Sequence, residues 1–143
     1  MICIDSSVVV KLVVNEKFSI QAQALYEAIL HAGQSIVAPP LLMMEVTNVL
    51  LKKTRRSDPL TREEAAHLLE IVLSMGIALH SPPMLHQVAF AIAADYQMKA
   101  AYDAYYLALS DYFECPFWTA DEKLIKNLRG RLPFVRWIGD FPI

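Results

Sequence analysis

Three features of the 143-residue sequence predict an α/β fold built on a parallel sheet. Short apolar runs alternate with helical patterns, and the two are separated by turn residues such as Gly33, Gly76 and Gly130. The opening run, Ile2-Cys3-Ile4, passes at once into a helical pattern with no room for a hairpin. It also ends on Asp5, and in open α/β sheets ligands sit beyond the carboxyl ends of the strands. Asp5 therefore has two readings: a functional acid at a strand mouth, or a plain cap for a helix beginning near Ser7.

The length matches one domain over 1–143 and is enough to bury a core without disulfides or metal staples. A hydrophobic fraction of 55% with 20% charged residues excludes disorder, and no apolar run is long enough to cross a membrane. The N-terminus carries no basic, apolar and small-residue leader pattern, so a cytoplasmic location is expected. Cys3 and Cys115 both stand among apolar neighbours and read as small buried hydrophobes, since two cysteines make neither a disulfide framework nor a zinc pattern. A net charge of −2 argues against nonspecific grip on nucleic acid but permits local basic patches. Two are visible: Lys52, Lys53, Arg55 and Arg56, where cations would complement a helix C-terminus, and Lys123, Lys126, Arg129, Arg131 and Arg136.

In chain order, a short apolar helix is expected over 8–14, and a second over 20–31 with Ile20, Ala24, Leu25 and Ala28 on its buried side. A brief strand at 35–38 leads through Pro39-Pro40 into a helix running to about Arg56. Thr61 and Glu64 form a capping box for the next helix, whose core face is Ala65, Leu68, Leu69 and Val72. A strand at 77–80 follows, then a helix capped by Ser81 with Pro82 at its first position and Leu85, Val88, Ala89 and Ile92 buried. The chain closes with a helix at 101–114, a strand at 117–119, a helix at 121–128 and a last strand at 134–138. No repeat or linker divides it.

This order places Asp5 and Asp121 at strand ends, Glu45 within the helix after the second strand, and Asp103 at the start of a helix. Each has an ordinary structural explanation. Glu45 shares a helical stripe with Asn48 and Lys52, Asp103 is a first-turn acid favoured by the helix dipole, and Asp121 suits an N-cap. Together they point to one edge of one sheet. Two carboxylates about 5 Å apart repel by roughly 3 kcal/mol at an effective dielectric of 20, so four in one place require a cation or bound protons. An all-oxygen cluster prefers Mg²⁺ or Mn²⁺, cations suited to phosphoryl chemistry.

The segments Ile4-Asp5-Ser6-Ser7, Glu45 with Asn48-Val49-Leu50, Tyr102-Asp103-Ala104-Tyr105-Tyr106-Leu107-Ala108 and Thr119-Ala120-Asp121-Glu122-Lys123-Leu124 resemble, in order and spacing, the motifs of PIN-domain nucleases. The chain is similar in size to VapC-type toxins, the ribonuclease halves of toxin-antitoxin modules. The resemblance covers nearly the whole chain and implies a three-layer α/β/α fold with a central parallel sheet. It also implies metal-dependent endoribonuclease activity, a homodimer, and inhibition by a cognate antitoxin. Asp5, Glu45, Asp103 and Asp121 would then hold Mg²⁺ or Mn²⁺, with Ser7 and Thr119 supporting them by hydrogen bonds. Lys123 departs from the acidic or polar residue that many relatives carry two positions after the last Asp, which bears on a second metal position.

Other chemistries find little support. His31, His67, His80 and His86 lack metal-ligand spacing, there is no nucleophile elbow or glycine-rich phosphate loop, and Asp95 and Asp111 read as helix surface. The tyrosines belong more naturally to a core, although Tyr102, Tyr105 or Tyr106 could line an RNA groove. A phosphoacceptor receiver domain would want an acidic pair where Ser6-Ser7 stand. The alternative from another class is a catalytically weak PIN-fold module for RNA binding or protein interaction.

Overall fold

A computed structural model describes residues 1–143. Five parallel strands, β1 (Ile2–Ile4), β2 (Ile36–Ala38), β3 (Ala78–Leu79), β4 (Phe117–Thr119) and β5 (Val135–Trp137), form one sheet in the order β3-β2-β1-β4-β5. The helices are α1 (Ser6–Val13), α2 (Ser19–His31), α3 (Leu41–Lys53), α4 (Arg62–Ser74), α5 (Leu85–Asp95), α6 (Tyr102–Tyr112) and α7 (Glu122–Leu128), with a terminal 3₁₀ turn at Ile138–Asp140. Right-handed crossovers put α1 to α4 on one face of the sheet and α5 to α7 on the other, giving the α/β/α sandwich. Accordingly α1 packs on α2, α3 and α4, while α6 packs on α5 and on β1 and β4.

The strands are short because both faces are covered and only apolar residues fit between the helical layers. Cys3, Val37, Ala38 and Phe117 are fully buried, with Val8, Val9, Leu42 and Val46 on one side and Tyr106, Leu107 and Leu109 on the other. Both cysteines are buried and unpaired. From β1 the chain first moves to β2 and β3, then returns to place β4 on β1's opposite flank, with Cys3 beside Phe117 and Ile4 beside Trp118. That reversal creates a crevice at the carboxyl end of β1 and β4, the position at which such sheets bind ligands.

Several expectations from the sequence need correction. The buried face of α2 is Ala22, Leu25 and Ile29, whereas Ile20 is 66% exposed and Ala28 also faces solvent. The apolar residues of this helix lie on more than one side, so periodicity alone did not fix its phase. The third helix stops at Lys53, where Thr54 and Arg55 turn back onto the Leu51 and Lys52 carbonyls. Lys53 itself is buried and, with Lys11, pairs with Glu16 at 2.9 Å, so it belongs to an internal ion triad rather than a surface patch. Ser81 and Pro82 do not start α5. Pro82 to Met84 make a turn, with the Leu85 N–H donating to the Pro82 carbonyl, and the helix begins after Met84 in the left-handed region at φ 68°. Val88 then lies outside the core of that helix, which buries Leu85, Ala89 and Ala93. The capping box at Thr61 and Glu64 forms as expected.

Candidate metal centre

Asp5 leaves β1 in extended conformation and caps α1: its Oδ1 accepts the Val8 N–H at 3.1 Å. The cap does not exclude a further role, because the same carboxylate is gripped from across the crevice. Ser7 Oγ donates to Oδ1, and Thr119 Oγ1, at the end of β4, donates to Oδ2. Both hydroxyls are relays, since Ser7 Oγ accepts the Ala120 N–H at 2.8 Å and Thr119 Oγ1 accepts the Asp121 N–H at 3.0 Å. The loop after β4 is thereby fastened to the loop after β1. Asp5 is sealed beneath the crevice floor, and burial is the chief reason its pKa is raised from 3.8 to about 7 against the lowering effect of its donors, with Asp103 adding a further upward push.

The other three acids line one cleft of about 630 Å³, together with Lys99, Lys123 and Asn127. Glu45 projects from α3, and its Oε2 accepts the Ser6 hydroxyl at 2.6 Å and the Tyr106 hydroxyl at 2.9 Å. Asp121 is the N-cap of α7, its Oδ1 accepting the Lys123 and Leu124 N–H groups at 2.8 and 3.2 Å. The Asp103 carboxylate, in the first turn of α6, accepts no hydrogen bond. Burial first, then the charges of Asp121 and Glu45, raise its pKa to about 6. The division of oxygens is the informative feature. Glu45 and Asp121 each have one oxygen held by protein donors and the other free, and both oxygens of Asp103 are free.

The ordinary readings of the sequence thus coexist with convergence. Asp121 does cap a helix and Asp103 does sit in a first turn, yet each also faces the cleft. The stripe shared by Glu45, Asn48 and Lys52 is not realised, because Glu45 turns inward to Ser6 and Tyr106. Two contributors escaped the sequence reading. Ser6 stands next to Asp5, and Tyr106 lies three residues after Asp103, a spacing that puts both on one helix face. Tyr106 is fully buried and does not line a groove; burial, then the Glu45 charge, raise its hydroxyl's pKa, keeping it a donor. Tyr102 is exposed at the cleft rim, and Tyr105 shares a hydrogen bond of 2.8 Å with His86 Nδ1.

The donor chemistry fits a hard divalent cation: free carboxylate oxygens converge on one cleft, and hydrogen bonds to the other oxygens position Glu45 and Asp121. The side chains are not gathered into a ready-made shell, for no three Asp, Glu, His or Cys groups stand close enough together to hold an ion.

The fold and this arrangement of acids define a class, and comparison with known proteins agrees with it. The model of the PIN domain family matches residues 2–129, so the chain belongs to the PIN-domain family, whose members are generally nucleases and typically use divalent metals. No curated protein matches it. Among solved structures, that of PAE2754 from Pyrobaculum aerophilum superposes with a TM-score of 0.66 at 21% identity, covering 96% of this chain and 90% of that one. At that identity the likeness is one of fold. No helix is long and apolar enough to cross a membrane.

Proposed function

We propose that the protein is a divalent-metal-dependent endoribonuclease, and that it acts as the toxin of a toxin-antitoxin pair. The observation that carries the enzymatic part is the shared cleft of Glu45, Asp103 and Asp121, in which Glu45 and Asp121 are each anchored through one oxygen with the other free and Asp103 has both free. A bound Mg²⁺ or Mn²⁺ would polarise the scissile phosphate and ease the deprotonation of the attacking water. Glu45, Asp103 and Asp121, with Asp5 beneath them, would hold it, and Asp5 also fixes the loop that carries Asp121 through Thr119. Ser6 and Tyr106 orient Glu45; Ser7 and Thr119 orient Asp5. Lys99 and Lys123 on the cleft wall offset the charge of the incoming phosphodiester.

The partner readings follow the same logic. A cognate antitoxin would inhibit by placing an Arg or Lys among the cleft carboxylates, in competition with the cation. Homodimer formation is supported by large apolar side chains left on the surface, Phe90 at 74% and Met44 at 63% exposure among them.

A second reading, a PIN-fold module that binds RNA or protein without cleaving, is favoured by Lys123 in the cleft and by the lack of a ready-made ligand shell. Metal titration separates the two. Asp121→Asn keeps a good N-cap but removes a charge, so the enzyme reading expects saturable Mn²⁺ binding in the wild type that weakens at least tenfold in the variant. No saturable binding in the wild type would favour the non-catalytic module.

A further inference from the structure

The acidic cleft does not end at its carboxylates. Its wall residues Gln97 and Asn127 also line an adjoining polar cavity of about 290 Å³, completed by Asp95, Tyr96, Arg129 and Arg131, so the two form one continuous trough between α7 and the turn after α5. Four cations stand along it: Lys99 and Lys123 in the first part, Arg129 and Arg131 in the second. The ion pairs of the chain use Lys11, Lys17, Lys53 and Lys126, and none of these four.

Arg131 is held by two hydrogen bonds and a ring contact. Its Nε donates to the Leu128 carbonyl and its Nη2 to the Asn127 carbonyl, both at 3.1 Å, while the guanidinium lies 4.4 Å from the centre of the Tyr96 ring. These contacts complement the carbonyl end of α7, the ordinary task of an arginine there. They also leave Nη1 with two unused N–H groups and fix the plane in which they point. Asn127 closes the wall by donating to the Tyr96 carbonyl at 3.4 Å.

We propose that this second cavity is a phosphate-binding subsite that takes the backbone of single-stranded RNA on one side of the scissile bond, with Arg129 and Arg131 as its contacts. The inference rests on the ribonuclease reading and adds to it where the substrate strand runs. A cavity lined almost entirely by polar groups, carrying two arginines outside the chain's ion pairs and opening onto the acidic cleft, suits a phosphate chain better than an apolar or cationic ligand. Arg129 and Arg131 would bind the backbone irrespective of base, so the subsite contributes affinity and register rather than sequence preference.

The test measures binding of a fluorescently labelled, unstructured RNA decamer in chelator, alongside cleavage in Mg²⁺ or Mn²⁺ of that decamer and of a dinucleotide with a single phosphodiester. The variant is Arg129→Asn, because residue 129 sits in the left-handed region at φ 51°, which Asn tolerates. Arg131→Gln is added separately with a melting curve, since Arg131 also closes the helix. Arg55→Gln with Arg56→Gln, outside both cavities, controls for loss of positive charge in general.

The Arg129→Asn variant should bind the decamer roughly threefold to fivefold more weakly, with a salt slope smaller by about 0.7. It should lose decamer cleavage mainly through KM and leave dinucleotide cleavage within about twofold of wild type. Unchanged decamer binding, or an equal loss in the Arg55/Arg56 control, overturns the subsite. Decamer binding that depends on Arg129 without any cleavage by the wild type supports the subsite and refutes the ribonuclease reading instead.

Discussion

Thr119 Oγ1 donates to Oδ2 of Asp5 and itself accepts the N–H of Asp121, so one side chain at the end of β4 couples the buried acid to the cleft acid. Ser7 does the same from α1, between Asp5 Oδ1 and the Ala120 N–H. The crevice at the topological switch is thus laced by hydroxyls rather than filled by apolar packing, and its geometry depends on both polar ends remaining satisfied.

Thr119→Val tests this coupling. Valine keeps the shape and the β-branch but leaves the Asp121 N–H without its acceptor and Asp5 without one donor. A stability loss of about 1 to 3 kcal/mol is expected, with a fall in cleavage larger than the melting shift alone explains. Denaturant unfolding and RNA cleavage measured on one preparation decide it. A variant as stable and active as wild type would show the relay to be incidental.

Tyr106→Phe isolates the support of Glu45. The ring stays in the core, stacked on Phe117 with centroids 5.9 Å apart, and only the hydroxyl that donates to Oε2 is lost. Catalysis should drop about 10-fold to 100-fold, the usual effect of removing a group that orients a metal-ligating carboxylate. Metal affinity should fall with it. Unaltered metal binding and turnover would mean that Ser6 alone suffices.

The raised pKa of Asp5 makes a signed statement about stability. Between the unfolded value of 3.8 and the folded value of about 7, the folded chain keeps a proton that the unfolded chain has released. Its contribution is therefore fully present below about pH 4 and is lost as pH rises toward 7, on the order of 4 kcal/mol for a carboxyl this deeply buried. Asp103 acts in the same direction up to about pH 6. Melting curves of metal-free protein should fall between pH 5 and 7.5. Asp5→Asn should flatten that fall, and saturating Mg²⁺ or Mn²⁺ should oppose it. Glu16, with its pKa lowered despite burial by Lys11 and Lys53, works oppositely but is already ionised across this window. A wild-type curve that is flat or rises with pH would contradict the assignment.

How far the sequence disclosed this arrangement differs from residue to residue. The strand ends at Asp5 and Thr119 were legible because a buried parallel strand is a short apolar run with a sharp boundary. Glu45, Asp103 and Asp121 were legible as acids in otherwise buried or capping positions, and their common edge followed from the alternation of strands and helices. The faces of α2 and α5 were not, since Ile20 and Val88 are as apolar as the residues that are buried and only tertiary packing chooses between them. Tyr106 lies in the core, as the sequence favoured, but its bond to Glu45 was not legible. Nothing in a row of tyrosines shows which hydroxyl finds a buried carboxylate, although the spacing of three from Asp103 carries the hint. The burial of Lys53 was likewise invisible, because its partner Glu16 is distant in the chain and sits in a loop.

Asp103→Asn bears most directly on the central claim, because Asp103 has no hydrogen-bond partner to lose and its charge is opposed by Asp121 and Glu45. The measurement is cleavage of a mixed RNA pool by wild type and variant in Mg²⁺ or Mn²⁺, beside a chelator control and a metal-free melting curve. A metal-dependent ribonuclease predicts metal-dependent cleavage by the wild type, none by the variant, and a metal-free variant at least as stable as wild type, since one repelling charge is gone. Cleavage by Asp103→Asn at the wild-type rate, or wild-type cleavage that persists in chelator, would contradict it.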